Sequence, residues 1–386
     1  MFKYVKYFLS TFFLIFGIYT CSFDSYSPTY FFIAFSAIII LGDMFLSHDK
    51  SKDEFKYPQL INLPIYLNLF LLLIFILNTV FILGNSNANW FSNVMYTYLN
   101  IDLVYMRESI KFIDKFSLIA IVSLFIGIMG TVPGHELTHR KREKVDMFFG
   151  NWLLSLSWDC TFAIEHVYGH HKNVCLPIDP ATAKRGESIY LFILRASIKE
   201  HIDGWKIEYR RLSRRNERIF SLKNKMIIGY LRSLTITFIC YSIGGLIGMF
   251  TFLLCAFIAK SLLEVINFTE HYGLVREENK PVYPRHSWNS NSVMSSVLLY
   301  NVTRHSAHHE KSHLKFWELD TYEDAPMMPH GYLSMLYIAI FLPPLFHKMM
   351  AKKLIQWDQN YASSEEKEIA RNANKNSGIK MLINQY

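Results

Sequence analysis

Charge is scarce in this chain: only 19% of its 386 residues are charged, whereas 51% are hydrophobic and 16% aromatic. That much apolar surface exceeds what one ordinary soluble core hides, and a bilayer is its natural solvent. Cysteine is scarce too. The five, Cys21, Cys160, Cys175, Cys240 and Cys255, show no CxxC spacing, and three lie in or beside apolar runs. They read as core residues, which excludes a disulfide framework and thiolate metal ligands. No small-residue cleavage site follows the first apolar run, so that run reads as a membrane helix rather than a removable signal peptide. The net charge of +8 has no aromatic-interleaved basic face behind it, which excludes nucleic acid as a partner. No internal repeat is visible.

What the chain has is long apolar runs. Crossing about 30 Å of hydrocarbon takes roughly 20 helical residues. The runs 7–23, 30–44, 60–83 and 116–134 are candidate spans, and 226–268 is too long for one. Gly244, Gly245 and Gly248 divide it into 226–245 and 249–268, joined by a tight turn, which gives six spans. Lys3 and Lys6 precede the first span, Lys50, Lys52 and Lys56 follow the second, and Arg140, Lys141, Arg142 and Lys144 follow the fourth. By the positive-inside rule these ends face the cytoplasm. The segment 84–115 is amphipathic enough to lie on the outer membrane face, and 332–350, broken by Pro343 and Pro344, suits an interfacial or re-entrant helix. The expected organisation is one membrane-embedded domain over 1–355, with polar cytoplasmic blocks at 135–225 and 269–330, and a loosely held polar tail over 356–386.

Nine of the 15 histidines fall in four motifs at the cytoplasmic ends of spans or in the polar blocks. They are His135-Glu136-Leu137-Thr138-His139, Glu165-His166-Val167-Tyr168-Gly169-His170-His171, Asn267-Phe268-Thr269-Glu270-His271-Tyr272-Gly273-Leu274, and Arg304-His305-Ser306-Ala307-His308-His309. Separations of three or four put imidazoles on one helix face, within reach of a common metal. The doublets His170-His171 and His308-His309 send neighbouring rings in different directions, which serves two ions better than one. Imidazole suits iron, copper, zinc and nickel alike. The HExxH run alone would fit a zinc peptidase with Glu136 as general base, but a catalytic zinc takes three protein ligands and leaves the other motifs unexplained. His48, His201, His313, His330 and His347 read as solvated or supporting residues, and His286 is intermediate.

These motifs resemble those of the membrane alkane 1-monooxygenases (alkane omega-hydroxylases) of the wider membrane desaturase and hydroxylase group. The resemblance extends to Asp179-Pro180-Ala181-Thr182, Gly186-Glu187-Ser188-Ile189-Tyr190, Arg211-Leu212-Ser213-Arg214-Arg215 and His286-Ser287-Trp288-Asn289-Ser290-Asn291. The expected fold is an all-α integral membrane protein, with six transmembrane helices and a cytoplasmic His-rich catalytic region. The resemblance implies that His135, His139, His166, His170, His171, His271, His305, His308 and His309 hold two irons. It also implies O2 as co-substrate, with one atom inserted into the terminal methyl of a medium-chain alkane and the other leaving as water. Electrons would come from rubredoxin, or a ferredoxin, and its NAD(P)H-dependent reductase, in a bacterial inner membrane. An acyl-lipid desaturase, an aromatic-methyl hydroxylase and a catalytically silent metal-binding protein are the alternatives. The fourth motif departs from the family's pattern, with Ala307 where an acid is usual; Val167 and Arg140 are further departures.

Around the histidines, Glu136, Glu165 and Glu270 are placed to accept imidazole N–H bonds or to sit solvated at helix ends. Lys260 and Glu264, four apart in an apolar run, suit a mutual ion pair; Glu264, with Asn267, alternatively supports the ligands. Phe35 is placed to limit an apolar substrate channel, or to serve as an ordinary core or lipid-facing residue. Arg140-Lys141 and the basic run 210–218 suit either an acidic electron donor or anionic lipid headgroups.

Overall fold

The computed structural model describes residues 2–385. In chain order the principal helices are α1 (Leu9–Thr20), α2 (Ser27–Phe45), α3 (Gln59–Leu83), α4 (Asn89–Leu99), α5 (Leu103–Ser109), α6 (Phe112–His139) and α7 (Lys144–Ser155). They continue as α8 (Ile189–Ser213), α9 (Lys225–His271), α10 (Val293–Leu298), α11 (His305–Glu310), α12 (Tyr332–Phe341), α13 (Pro343–Asn360) and α14 (Ser364–Lys375). Among the described residues there is no strand, only the isolated bridges His48–Ser292 and Asn289–Met327. The all-helical expectation is met. Four helices, α2, α3, α6 and α9, are long and apolar enough to cross a bilayer, as in a multi-pass membrane protein. Helix α1 is continued toward the N-terminus by helical turns over Phe2–Val5 and Lys6–Phe8. The 47-residue α9 bends at Gly245, whose φ of 67° is a left-handed conformation that glycine takes without steric cost.

The chain forms two compact units. The first comprises Met1–Ile38, Phe55–Cys160 and Ile227–Lys260; the second comprises Ile39–Glu54, Thr161–Met226 and Ser261–Tyr386. In the first unit α6 is interrupted by a π-helical turn, Ile126–Thr131. Such a turn loosens the hydrogen-bond ladder and re-aims the helix beyond it. Asn68 of α3 donates to the Met129 carbonyl at 3.1 Å, and the Thr131 hydroxyl donates to the Ile126 carbonyl at 3.2 Å, so the loosened backbone stays satisfied. All five cysteines are buried thiols, as expected.

In the first unit Lys260 pairs with Asp159, at 2.8 Å. Burial forces the ammonium to find a carboxylate, and a residue distant in sequence supplies it.

In the second unit Asp43, at the end of α2, accepts from the Ser292 hydroxyl (2.6 Å), the Ser295 N–H (3.0 Å) and hydroxyl (2.7 Å), and the Ser334 N–H (3.1 Å). One carboxylate thereby caps the N-termini of both α10 and α12. The tail is not loose. Helix α14 docks through Glu366 and Asn374, which are both buried, and Asp358 of α13 is gripped by Arg185 through two bonds of 2.7 Å. Helix α12 ends at Phe341, and Pro343 opens α13 because proline is tolerated in a first helical turn.

Candidate metal centre

In the second unit the second histidine motif is helical over Phe162–Glu165, then widens to a π-helical turn over His166–His170. The widening changes which rings meet. Residues five apart now share a face, and His166 Nε2 lies 3.1 Å from His171 Nε2. Gly169 makes room for the turn, since a side chain there would collide with the Glu165 carboxylate.

The rings of this unit form two groups. His170, His271, His305 and His309, all buried, converge so that their ligand atoms lie within 4.8 Å of one another. His271 and His305 approach at 3.1 Å between Nε2 atoms, and His305 and His309 at 3.0 Å. Metal bonds of about 2.1 Å at right angles place neighbouring nitrogens about 3.0 Å apart, so these spacings match the edges of a coordination shell. The other group contains His166, His171 and His308, whose ring centroids lie 4.7 Å (His166–His171) and 5.0 Å (His171–His308) apart. Each doublet is therefore divided, His170 and His309 to one group and His171 and His308 to the other.

Hydrogen bonds fix which nitrogen two rings of the four-histidine group present. The Nδ1 of His170 donates to Asp179 at 2.9 Å, and that of His271 donates to the His286 carbonyl at 3.0 Å, which leaves both Nε2 lone pairs for a metal. The His170 Nε2 and His309 Nδ1 atoms are buried without a hydrogen-bond partner, as is Oε1 of Glu270, whose Oε2 lies 3.3 Å from His305 Nε2. Orphaned polar atoms around an all-imidazole set fit a site for a metal cation. Asp179 was not singled out among the expected site residues. Burial alone would raise its carboxyl, but the His170 ring, the Thr182 hydroxyl and the His271 ring together outweigh burial and hold it below the usual range.

Burial pushes His308 down to about 3, with the His170 ring adding to the effect, and it pushes His309 well below its ordinary value. Neutral rings keep their lone pairs available. The unfolded chain takes up a proton at His308 near pH 6.5, whereas the folded chain resists until about 3, so acidification between these limits favours unfolding. The thermal midpoint of the metal-free protein in detergent is expected to fall steadily from pH 7 to pH 4; a flat profile would contradict this environment.

In the first unit His135 and His139 stand one turn apart at the end of α6, with ring centroids 4.9 Å apart. Glu136 is held by Arg140 at 2.8 Å, and Arg140 also binds Asp146 (2.9 Å) and Asn62 (2.8 Å). Arg140 is therefore buried and committed, not a free cation for a donor protein or a lipid. In the basic run Arg211 is likewise paired, with Glu208 at 2.7 Å. Phe35, also in the first unit, is buried against Phe13 (5.0 Å), Phe31 (6.1 Å) and Phe125 (4.9 Å). In the second unit Glu264 accepts from the Asn267 amide at 3.3 Å, and Ala307 is buried, so an acid there would have been a buried charge.

Comparison with known proteins agrees with this chemistry. Residues 116–339, more than half of the chain, match the fatty acid desaturase family model. Alkane 1-monooxygenase 2 of Alcanivorax borkumensis is 34% identical over 64% of this chain and 65% of its own length. Alkane 1-monooxygenase 1 of Pseudomonas aeruginosa is 37% identical over 59% of this chain and 61% of its own. The hydroxylase component of xylene/toluene monooxygenase from Pseudomonas putida is 34% identical, over 64% and 67% respectively. The matched region thus spans less than two thirds of the first two relatives.

Proposed function

The chain belongs to the fatty acid desaturase family, and on that membership and its buried histidine groups we propose that it is a membrane monooxygenase acting on the terminal methyl of a medium-chain alkane. The observation that carries the reading is the four-histidine group, a donor set without thiolate or bound carboxylate in which hydrogen bonds fix the tautomers of His170 and His271. In the proposal His170, His271, His305 and His309 hold one iron, and His135 and His139 join His166, His171 and His308 to hold a second. When bound, the iron pair would supply O2 reduction and C–H oxidation. Glu270 stands beside the His305 ring, Glu165 would accept an imidazole N–H, and Glu264, Asn267 and Glu136 would steady the helices that carry the ligands.

An alkane has no dipole to grip, so its orientation depends on an apolar channel between spans. Phe35 is proposed to limit that channel's depth, and Phe35→Ala is expected to move activity toward longer alkanes. We place six spans in a bacterial inner membrane, with the metal centre at the cytoplasmic side. Rubredoxin or a ferredoxin, with its NAD(P)H-dependent reductase, would supply electrons, and the exposed part of the basic run 210–218 suits an acidic donor.

The similarity to the xylene/toluene monooxygenase component favours one second reading, hydroxylation of an aromatic methyl group. Feeding octane, hexadecane, xylene and acyl lipids to cells that express the chain with a rubredoxin system separates the readings. 1-Octanol is the expected product. Methylbenzyl alcohol alone would establish the second reading, and a new double bond alone would sink both.

A further inference from the structure

Helix α14 opens with a capping box, in which the Ser363 hydroxyl accepts the Glu366 N–H at 3.1 Å and Glu366 Oε2 accepts the Ser363 N–H at 2.9 Å. The same carboxylate, fully buried, takes Arg285 Nε on Oε2 at 2.8 Å, and Arg285 Nη2 (3.3 Å) and His286 Nε2 (2.7 Å) on Oε1. Every acceptor direction of Glu366 is therefore used. His286 is equally constrained. Its Nδ1 accepts the Tyr283 backbone N–H at 3.0 Å, so Nε2 carries the ring proton that Glu366 receives. Its carbonyl accepts His271 Nδ1–H at 3.0 Å and the Cys175 thiol at 3.2 Å. A continuous run of hydrogen bonds thus leads from the C-terminal helix to one ring of the four-histidine group, within a single compact unit.

We propose that Glu366 is a positioning residue for that group: by anchoring the His286 ring it sets the His286 carbonyl, which in turn aims His271 Nε2 into the centre. This rests on the reading that the four histidines hold a metal ion. The physical basis is that a ring whose N–H partner is fixed keeps both its tautomer and its angle, and a carbonyl on a short turn is fixed only when the turn is. The turn here is Pro284–His286, a single 3₁₀ turn with little rigidity of its own. Docking of the tail is separable from this role, because Asn374 fastens the other end of α14 to Arg185 at 2.6 Å and to Asp358 at 2.9 Å.

The test uses the full chain in detergent, loaded with Co2+ as a visible reporter, with affinity measured by chelator competition. Glu366→Ala is expected to weaken one class of cobalt site about tenfold and to shift its ligand-field bands. Glu366→Gln, which keeps one oxygen, is expected to fall between wild type and alanine, and it carries the comparison should the alanine variant not fold. Asn374→Ala is expected to lower the thermal midpoint while leaving bands and affinity unchanged. Unchanged bands in both Glu366 variants would overturn the proposal, as would an equal disturbance by Asn374→Ala, which would reduce Glu366 to a docking contact. A wild-type chain that binds no cobalt would instead remove the metal-site reading itself, and this inference with it.

Discussion

Replacement of His271 by alanine is expected to cost the protein one of two bound metal ions and to take 1-octanol formation below detection. The His271 ring meets every other member of its group, with centroids 4.9 Å from His170, 4.9 Å from His305 and 5.0 Å from His309. Losing it removes one of four donors and leaves the others facing each other across a gap. Loss of an outer hydrogen-bond partner alone typically costs about 10–100-fold in metal affinity, and loss of a ligand costs more. Iron per chain by elemental analysis, alongside product formation, checks this. His313→Ala serves as the comparison, because His313 is exposed and belongs to neither group. Full metal content and activity in the His271 variant would show that the group does not hold the ion.

Asp179→Ala is expected to have the second largest effect, about 10–100-fold weaker metal binding with every ligand still present. Asp179 receives His170 Nδ1–H and is itself held by the Thr182 hydroxyl and the Ala181 N–H at 3.3 Å. Without the carboxylate the ring turns freely between tautomers, and its Nε2 lone pair no longer has a defined direction. Chelator competition against the wild type measures the loss. An affinity within twofold of wild type would show that His170 is oriented by packing alone.

The ligand motifs were legible in the sequence because clustering of histidine on helical spacing has few other causes. The division of the doublets was legible too, since adjacent helical residues diverge. The pairing of His166 with His171 was not, because it depends on a π-helical turn that a period of 3.6 does not anticipate. Asp179 lies nine residues beyond His170, and only the turn of the intervening loop brings the two together. Glu366 and His286 are 80 residues apart. Their contact cannot be read from local pattern, and a polar C-terminal segment looks solvated until its buried partners are known. Lys260 shows the same limit: its ion pair with Asp159 joins residues far apart in sequence, which spacing along one helix does not reveal. The break at Gly245 and the boundary at Pro343 were readable, because glycine and proline act through their own backbone chemistry.

The central claim is tested most directly by locating the metals. Anomalous scattering at the iron edge from crystals of the purified, iron-loaded protein is predicted to give two peaks. One should lie among His170, His271, His305 and His309, and the other should be bounded by His166, His171 and His308 together with His135 and His139. A single zinc at His135 and His139, or no metal at the four-histidine group, would contradict the account.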